Sequence, residues 1–150
     1  MSVELRLASG AQDASLVRDL VDRAFTVYIA RIGMKPRPMN ADYDAIVAAG
    51  RCWVAVDAGE IVGMIHLETE AGHVEVETIA VSPAAQGRGV GVLLLALAES
   101  RARELGRPEV RLCTNVAMVE NIAYYPRRGY VETHRSTEEG FDRVFFSKRL

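Results

Sequence analysis

The sequence of 150 residues has few of the residues that build disulfide frameworks or metal centres. Its only cysteines are Cys52 and Cys113, and its only histidines are His66, His73 and His134. They form no CxxC pair and no cluster with metal-ligand spacing. We therefore expect two reduced, buried thiols rather than a disulfide, and we expect no bound metal.

Excess charge and long apolar segments are also missing. Lys and Arg total 18 and Asp and Glu total 20, so the formal net charge of -2 offers no footprint for nucleic acid or an anionic membrane. The longest apolar run, Val90 to Ala98, is far too short to span a bilayer, and the first residues lack a signal-peptide pattern. We expect a cytoplasmic protein with neither nucleic-acid nor membrane partners, acting as a monomer or homodimer.

Composition and periodicity predict one mixed α/β domain over residues 1–150. Hydrophobic residues make up 49% and charged residues 25%, as in a soluble globular protein. Ser9 is placed to open a first helix and Asn40 to cap a second. The predicted element order is β-α-α-β-β-β-α-β-α-β-β, with strands near 3–7, 52–56, 61–67, 73–81, 110–114, 130–136 and 141–150.

A glycine-rich loop joins the third strand of the central group to the longest apolar helix. Gly87, Gly89 and Gly91 leave backbone N–H groups uncovered, and the helix start adds unpaired donors and the positive end of its dipole. Such a loop can hold a phosphate or diphosphate, although a tight turn with nothing bound is the alternative. The spacing is neither a P-loop nor the G-x-G-x-x-G dinucleotide fingerprint.

The strand before this loop changes its alternation. Val74 and Val76 are apolar at one parity, whereas Ile79 and Val81 are apolar at the other. This slip predicts a β-bulge between Thr78 and Ala80, although an irregular strand end is the alternative. Glu75 and Glu77 lie immediately before the slip. These two glutamates are either proton acceptors at a site or a solvated face of the sheet.

The pattern Gln86-x-x-Gly89-x-Gly91, with its Val-Ser-Pro lead-in, resembles the acetyl-coenzyme A loop of the GCN5-related N-acetyltransferases. A second segment of the chain is similar to the closing element of that family, in which an Asn precedes a Tyr that lies four residues before a Gly-aromatic pair. The element order matches as well. The resemblance implies acetyl-CoA as co-substrate, bound by Ile79, Ala80, Val81, Gln86, Gly87, Arg88, Gly89, Val90, Gly91 and Asn121.

The same resemblance implies transfer of the acetyl group to a primary amine of a small molecule or peptide, by direct attack in a ternary complex. Tyr125 holds the family's Tyr position and would assist departure of the thiol. Glu75, Glu77 or a water would take the proton from the amine. Tyr124 is expected to be a packing residue. Pro126 departs from the common pattern and should end the helix there.

The acceptor pocket in this family is shaped by the first two helices and their connection. Tyr28 and Arg31 are the substrate-binding candidates there, and an Arg could bind a substrate carboxylate. The sequence does not name the acceptor. Two other functions remain open, namely a non-catalytic acetyl-CoA-binding regulatory module and an acyltransferase with a longer acyl chain or a hydroxyl acceptor.

Overall fold

The computed structural model describes residues 2–150, which form a seven-stranded sheet with helices on both faces. The strands are β1 (Val3–Leu7), β2 (Cys52–Asp57), β3 (Glu60–Thr69), β4 (Val74–Val81), β5 (Glu109–Asn115), β6 (Val131–Glu138) and β7 (Phe141–Arg149). The helices are α1 (Gly10–Phe25), α2 (Ile29–Ile32), α3 (Tyr43–Ala48), α4 (Val90–Glu104) and α5 (Val119–Arg127). Short 3₁₀ turns lie at Thr26–Tyr28, Arg37–Asn40 and Pro83–Ala85.

The sheet is mostly antiparallel. Its strand order is β1-β2-β3-β4-β5-β7-β6, and among the described residues β4 and β5 make the one parallel pair. Helix α4 supplies the crossover between those two strands, as a parallel pair requires. The predicted fold class, a mixed and mostly antiparallel sheet flanked by helices, is therefore confirmed.

Two hydrophobic cores cover the two faces of the sheet. One core packs the α4 and α5 side and includes Val76, Leu94 and Phe146. The other packs the α1 and α3 side and includes Leu20 and Met64. Because successive strand side chains point to opposite faces, each central strand contributes to both cores.

The segment between α1 and β2 differs from the two helices that the sequence predicted. The first helix ends at Phe25, and a 3₁₀ turn and the single turn of α2 carry the chain to Ile32. Residues 26–28 are Thr, Val and Tyr, which have low helix propensity, and the Thr26 hydroxyl donates back to the Asp22 carbonyl oxygen. Asn40 does not cap the next helix. Asp42 does, since its carboxylate accepts a hydrogen bond from the Ala45 N–H at 3.1 Å.

The predicted bulge is present, but it lies earlier than expected. His66 pairs with Thr78 while Leu67 pairs with Val76, so Glu77 is the extra residue on β4. The apolar side chains on both sides of the bulge therefore pack against the same core on the α4 face. The prediction placed the slip after Thr78 because that residue is polar, whereas its side chain is in fact buried.

Strands β4 and β5 separate just where the bulge occurs. They pair from Val74 with Val110 to Val76 with Leu112, and no later residue of β4 pairs with β5. Strand β5 continues as far as Asn115 through its pairing with β7. The two strands therefore leave a gap in the middle of the sheet, beside the end of β4.

Both cysteines are free thiols, Cys52 buried and Cys113 half-buried, in agreement with the expectation from their spacing. Within residues 2–150, no helix has both the length and the apolar character needed to cross a bilayer.

A glycine on β3 fixes how closely α4 approaches the sheet. A Cβ atom at Gly63 would lie 2.8 Å from Val90 Cγ1 and 3.1 Å from Leu94 Cδ1. We expect Gly63→Ala to lower the free energy of unfolding by about 1–3 kcal/mol, because overpacking forces α4 away from β3. Denaturant unfolding measures this change.

The matched control is Gly72→Ala, since a Cβ atom at Gly72 would meet nothing within 4 Å. That variant should stay within about 0.5 kcal/mol of the parent protein. Equal stability of the two variants would show that α4 does not depend on this contact.

Candidate functional site

The gap between β4 and β5 is bordered by the loop that leads into α4. The Ser82 N–H donates to the Val62 carbonyl oxygen at 2.8 Å, which fixes the start of the loop to β3. The Gln86 side chain folds back, and its Nε2 donates to the Val81 carbonyl oxygen at 3.4 Å. Gln86 therefore supports the loop from within, in addition to lying in the predicted coenzyme motif.

The loop presents an open surface at the start of α4. Gly87 and Gly89 have φ of +80° and +83°, a backbone region that favours glycine, and Gly89 is the N-cap of the helix. A Cβ atom at either position would meet nothing within 4 Å. No side chain therefore covers the loop at these two glycines, beside the first N–H groups of α4, which suits the diphosphate of a coenzyme.

Tyr125 lies in the core on the α4 and α5 side. Its ring packs edge-on against Tyr124 and Tyr130, with centroids 5.5 and 6.0 Å away, and at a tilt against Phe146. Its hydroxyl has no hydrogen-bond partner within residues 2–150. Burial raises the pKa of Tyr125 well above the ordinary tyrosine value, so this hydroxyl stays protonated and is free to donate to a ligand.

Tyr124 is partly buried and packs against the same core, as expected. A Cβ atom at Gly91 would lie 3.5 Å from the Tyr124 hydroxyl oxygen, so this hydroxyl is next to the first turn of α4. The guanidinium carbon of Arg128 lies 5.2 Å from the centre of the Tyr124 ring. Tyr124 therefore borders the predicted coenzyme loop, whereas its neighbour Tyr125 is buried.

Asn121 is already hydrogen-bonded within the protein. Its Nδ2 donates to the Thr114 hydroxyl oxygen at 3.1 Å, which fixes the start of α5 to the end of β5. The side chain of Asn121 thus positions α5 beside the gap. Pro126 lies in the last turn of that helix, which ends one residue later at Arg127.

Glu75 and Glu77 lie on the opposite face of the sheet from Tyr125. Glu75 sits across from Arg111 in the β4–β5 register, and its Oε1 is 3.0 Å from His73 Nε2. Burial is the main cause that raises the pKa of Glu75. Glu77 is the bulge residue itself, and its Oε2 lies 3.7 Å from Arg37 Nη2. Two half-buried carboxylates therefore stand where the strands begin to separate.

Cys113 on β5 lies between these groups. Burial raises the pKa of its thiol to about 11, and the charges of Glu75, Glu77, Arg37 and Arg143 all act on it. The same thiol also contributes to the raised pKa of Tyr125. Cys113 and the four charged residues that act on it, Glu75, Glu77, Arg37 and Arg143, are called the polar cluster below. A thiol with a raised pKa is a poor nucleophile.

The two predicted substrate residues lie together at the start of α5. Arg31 Nη1 donates to both carboxylate oxygens of Glu120, at 2.6 and 2.9 Å, and its guanidinium carbon is 5.1 Å from the centre of the Tyr28 ring. Arg31 already holds a carboxylate of this chain. Any contact with a substrate would share or break that ion pair.

Sequence reasoning missed two arginines of the polar cluster. Arg143 is buried on β7, opposite Asn115 in the β5–β7 register, and its Nη1 donates to Glu138 Oε2 at 2.7 Å. Arg37 comes from the 3₁₀ turn after α2. The sequence did offer a signal for Arg143, because it is a charged residue at a strand position whose side chain should face the interior of the protein. Within residues 2–150, no group of three or more potential metal ligands is assembled.

Comparison with known proteins agrees with this fold. The model of the acetyltransferase (GNAT) family matches residues 15–130, and the chain belongs to that family. It is 34% identical over 87 residues to aminoalkylphosphonate N-acetyltransferase of Salmonella typhimurium, covering 54% of this chain and 56% of that protein. It is 36% identical over 84 residues to IAA acetyltransferase of Azospirillum brasilense, covering 55% of each. The matched region is about half the length of these curated relatives.

Solved structures share the whole fold. PaiA N-acetyltransferase from Thermoplasma acidophilum, in complex with coenzyme A, superposes with a TM-score of 0.82 at 18% identity over 100% of both chains. A GNAT family acetyltransferase from Elizabethkingia anophelis with acetyl-CoA bound gives 0.74 at 17% identity, over 99% of this chain and 98% of that one. At these identities the likeness establishes the fold.

The coenzyme loop can be tested with a substitution that leaves the fold intact. A Cβ atom at Gly91 would make only an ordinary 3.5 Å contact with Tyr124, and an alanine within a helix is favoured over glycine. We expect Gly91→Ala to keep or raise thermal stability while it weakens acetyl-CoA binding about tenfold, as measured by calorimetry.

Gly89→Glu should weaken acetyl-CoA binding more than Gly91→Ala does. It also strains the backbone, because the φ of +83° at Gly89 is unfavourable for any residue with a side chain. Unchanged acetyl-CoA affinity in Gly91→Ala and in Gly89→Glu would rule out this loop as the diphosphate site.

Proposed function

We propose that this protein is an N-acetyltransferase that moves the acetyl group of acetyl-CoA to a primary amine of a small molecule or peptide. The observation that carries the proposal is the gap between β4 and β5. It has an open helix start beside it, a protonated tyrosine on one face and two carboxylates on the other. The curated relatives named aminoalkylphosphonate N-acetyltransferase and IAA acetyltransferase support the class.

The coenzyme would enter from the α4 and α5 side. The N–H groups of residues 88–91 would bind its diphosphate, with Gln86 and Gly87 shaping the loop. The backbone of Ile79, Ala80 and Val81 follows the bulge and has no partner on β5, so its polar groups are available to an amide-rich chain. The bound coenzyme supplies an activated acetyl thioester at the gap.

The carboxylates would make the acceptor amine nucleophilic. A free alkylamine has a pKa of about 10.4, so it must lose a proton before its nitrogen can attack the thioester carbonyl. Glu77 stands at the bulge, nearest the separation of the strands, and Glu75 lies two residues away with a raised pKa. We assign the proton-accepting function to this pair, acting directly or through a water.

Tyr125 would stabilise the departing sulfur. Full proton transfer from a phenol of raised pKa to an alkyl thiolate, whose conjugate acid has a pKa of about 8.5, is uphill. A hydrogen bond from the Tyr125 hydroxyl to the sulfur is therefore the favoured form of assistance. The raised pKa of the Cys113 thiol argues against an acetyl-cysteine intermediate, so we propose direct transfer to the amine.

A screen of amines with acetyl-CoA, monitored by release of free thiol, tests the proposed function. Alcohols of matched size and longer acyl-CoA donors belong in the same screen. Binding of acetyl-CoA without turnover of any acceptor would favour a regulatory module. Faster turnover with alcohols or with longer acyl donors would favour the other acyltransferases.

Removing the responsible carboxylate should abolish the acidic limb of the pH–rate profile. A base must be deprotonated to act, so turnover should fall as the pH drops through its pKa, and the raised pKa of Glu75 moves this fall above the ordinary glutamate range. We expect Glu75→Gln or Glu77→Gln to lower kcat by about 10²–10⁴-fold with acetyl-CoA affinity retained. Near-parental rates in both variants, below the pKa of the acceptor, would exclude either glutamate as an essential base.

The Tyr125 hydroxyl should act on the leaving group. We expect Tyr125→Phe to lower kcat by about tenfold or more with little change in coenzyme affinity, because the ring packing is preserved. A thioester with a more acidic thiol needs less assistance, so the defect should shrink with it. An equal defect with both thioesters would indicate positioning, and no defect would make Tyr125 a structural residue.

Tyr130→Phe is the matched control. Tyr130 packs against Tyr125, but its hydroxyl donates to Oε2 of Glu99, on helix α4, at 3.1 Å. Tyr130→Phe should lower the stability of the protein. Any change in its kcat should be the same with both thioesters.

A further inference from the structure

Arg143 is an unusual residue for the interior of this protein. Its side chain is buried, with 7% of the residue's surface exposed. Glu138 Oε2 accepts from Nη1 at 2.7 Å, and the guanidinium carbon lies 5.3 Å from the centre of the Phe141 ring. Nη2 is also buried, and within residues 2–150 it has no hydrogen-bond partner. A buried charged donor without an acceptor is costly, so an oxygen atom from outside the chain is the missing partner.

The position of Arg143 places this donor on the acceptor side of the gap. Arg143 is opposite Asn115, and Cys113 lies on the same face of β5, two residues closer to the paired region. The charge of Arg143 acts on the Cys113 thiol together with the charges of Glu75 and Glu77. Arg143 therefore belongs to the same polar cluster as the two carboxylates.

The far end of the hairpin closes over this region. A Cβ atom at Gly140, in the turn between β6 and β7, would lie 3.7 Å from Met34 Cε. Met34 belongs to the segment that connects α2 with the 3₁₀ turn carrying Arg37. The hairpin and that segment thus lie against each other beside the polar cluster, where an acceptor would be enclosed.

The two carboxylates and Arg143 lie on different strands, and Arg37 is the cation next to Glu77. Glu75 and Glu77 lie on β4, whereas Arg143 is on β7, with β5 between the two strands. Glu138 and Phe141 hold the guanidinium in place, so its unpartnered arm is oriented before any ligand arrives. A planar guanidinium binds carboxylate and phosphonate oxygens especially well. A ligand with an amine at one end and an anionic group at the other matches this arrangement.

We propose that Arg143 binds an anionic oxygen group of the acceptor, so that the acceptor is a primary amine that also carries a carboxylate or phosphonate. This inference rests on the proposed N-acetyltransferase function. A buried water is the competing partner for Nη2. Water would satisfy the donor equally well whether the acceptor is charged or neutral, and that difference can be measured.

The experiment compares three amines of similar length with acetyl-CoA, namely aminoethylphosphonate, β-alanine and propylamine. We expect the anionic amines to have the higher kcat/KM, and the better of the two identifies the anionic group. Arg143→Gln should lower kcat/KM for the anionic amines about 10- to 100-fold, mostly through KM. The loss for propylamine should be at least about tenfold smaller, because it has no group to bind there. Arg143→Lys keeps the charge without the planar fork and should be intermediate.

Arg135→Gln is the matched control, because Arg135 lies on the same hairpin but is exposed and paired with Glu132. It should leave the ratio of anionic to neutral turnover unchanged. Thermal unfolding and acetyl-CoA affinity are measured for every variant. An Arg143→Gln protein that fails to fold is replaced by Arg143→Lys, in which a smaller loss, still selective for the anionic amines, is expected.

The outcomes separate this inference from the proposed function. If the kcat/KM for propylamine equals that for the anionic amines, or if Arg143→Gln lowers kcat/KM equally for all three, the inference is wrong and the enzyme assignment stands. If neither these three amines nor any amine of the broader screen is acetylated, the N-acetyltransferase assignment fails. Calorimetry of aminoethylphosphonate and β-alanine with the coenzyme A-loaded protein then decides the inference. Binding that Arg143→Gln abolishes supports the anion site, and undetectable or unchanged binding overturns it.

Discussion

The separation of β4 from β5 is the constraint on which the rest of the structure depends. Neighbouring strands normally keep their ladder of hydrogen bonds, because unpaired backbone groups are costly. Here the extra residue Glu77 ends the pairing with β5 after Val76. The sheet tolerates the opening because each side is held elsewhere, β4 by β3 and α4, and β5 by β7. The result is a stretch of β4 after Val76 that has no neighbouring strand on the β5 side.

Local patterns in the sequence predicted most of the fold. The change of parity after Val76 predicted the bulge, and the alternate glycines before Val90 predicted the open helix start. Both signals come from neighbouring residues, so they survive without knowledge of the tertiary structure. The position of the bulge was less certain because Thr78 is polar but buried beneath α1 and α3. The helices after Phe25 were predicted less well, since weak propensities leave packing to decide their ends.

The charged part of the candidate site was harder to predict because its contacts are distant in sequence. Arg31 binds Glu120, 89 residues further along the chain. Arg37, which lies between two prolines in the sequence, comes within 3.7 Å of Glu77. Arg143 is buried, although it lies on a hairpin strand where charged residues are usually solvated. In each case the arginine is visible in the sequence, but the residues that pair with it or bury it come from another helix, strand or turn.

The two hydrophobic cores have a consequence for how this protein can diverge. The coenzyme loop and α5 rest on one core, while α1 and α3 rest on the other. Substitutions in the segment between Phe25 and Tyr43 share few neighbours with α4, so their energetic effects should be nearly independent of the loop. Mutation can therefore remodel what enters from one side of the sheet while the proposed coenzyme site on the other side is inherited intact.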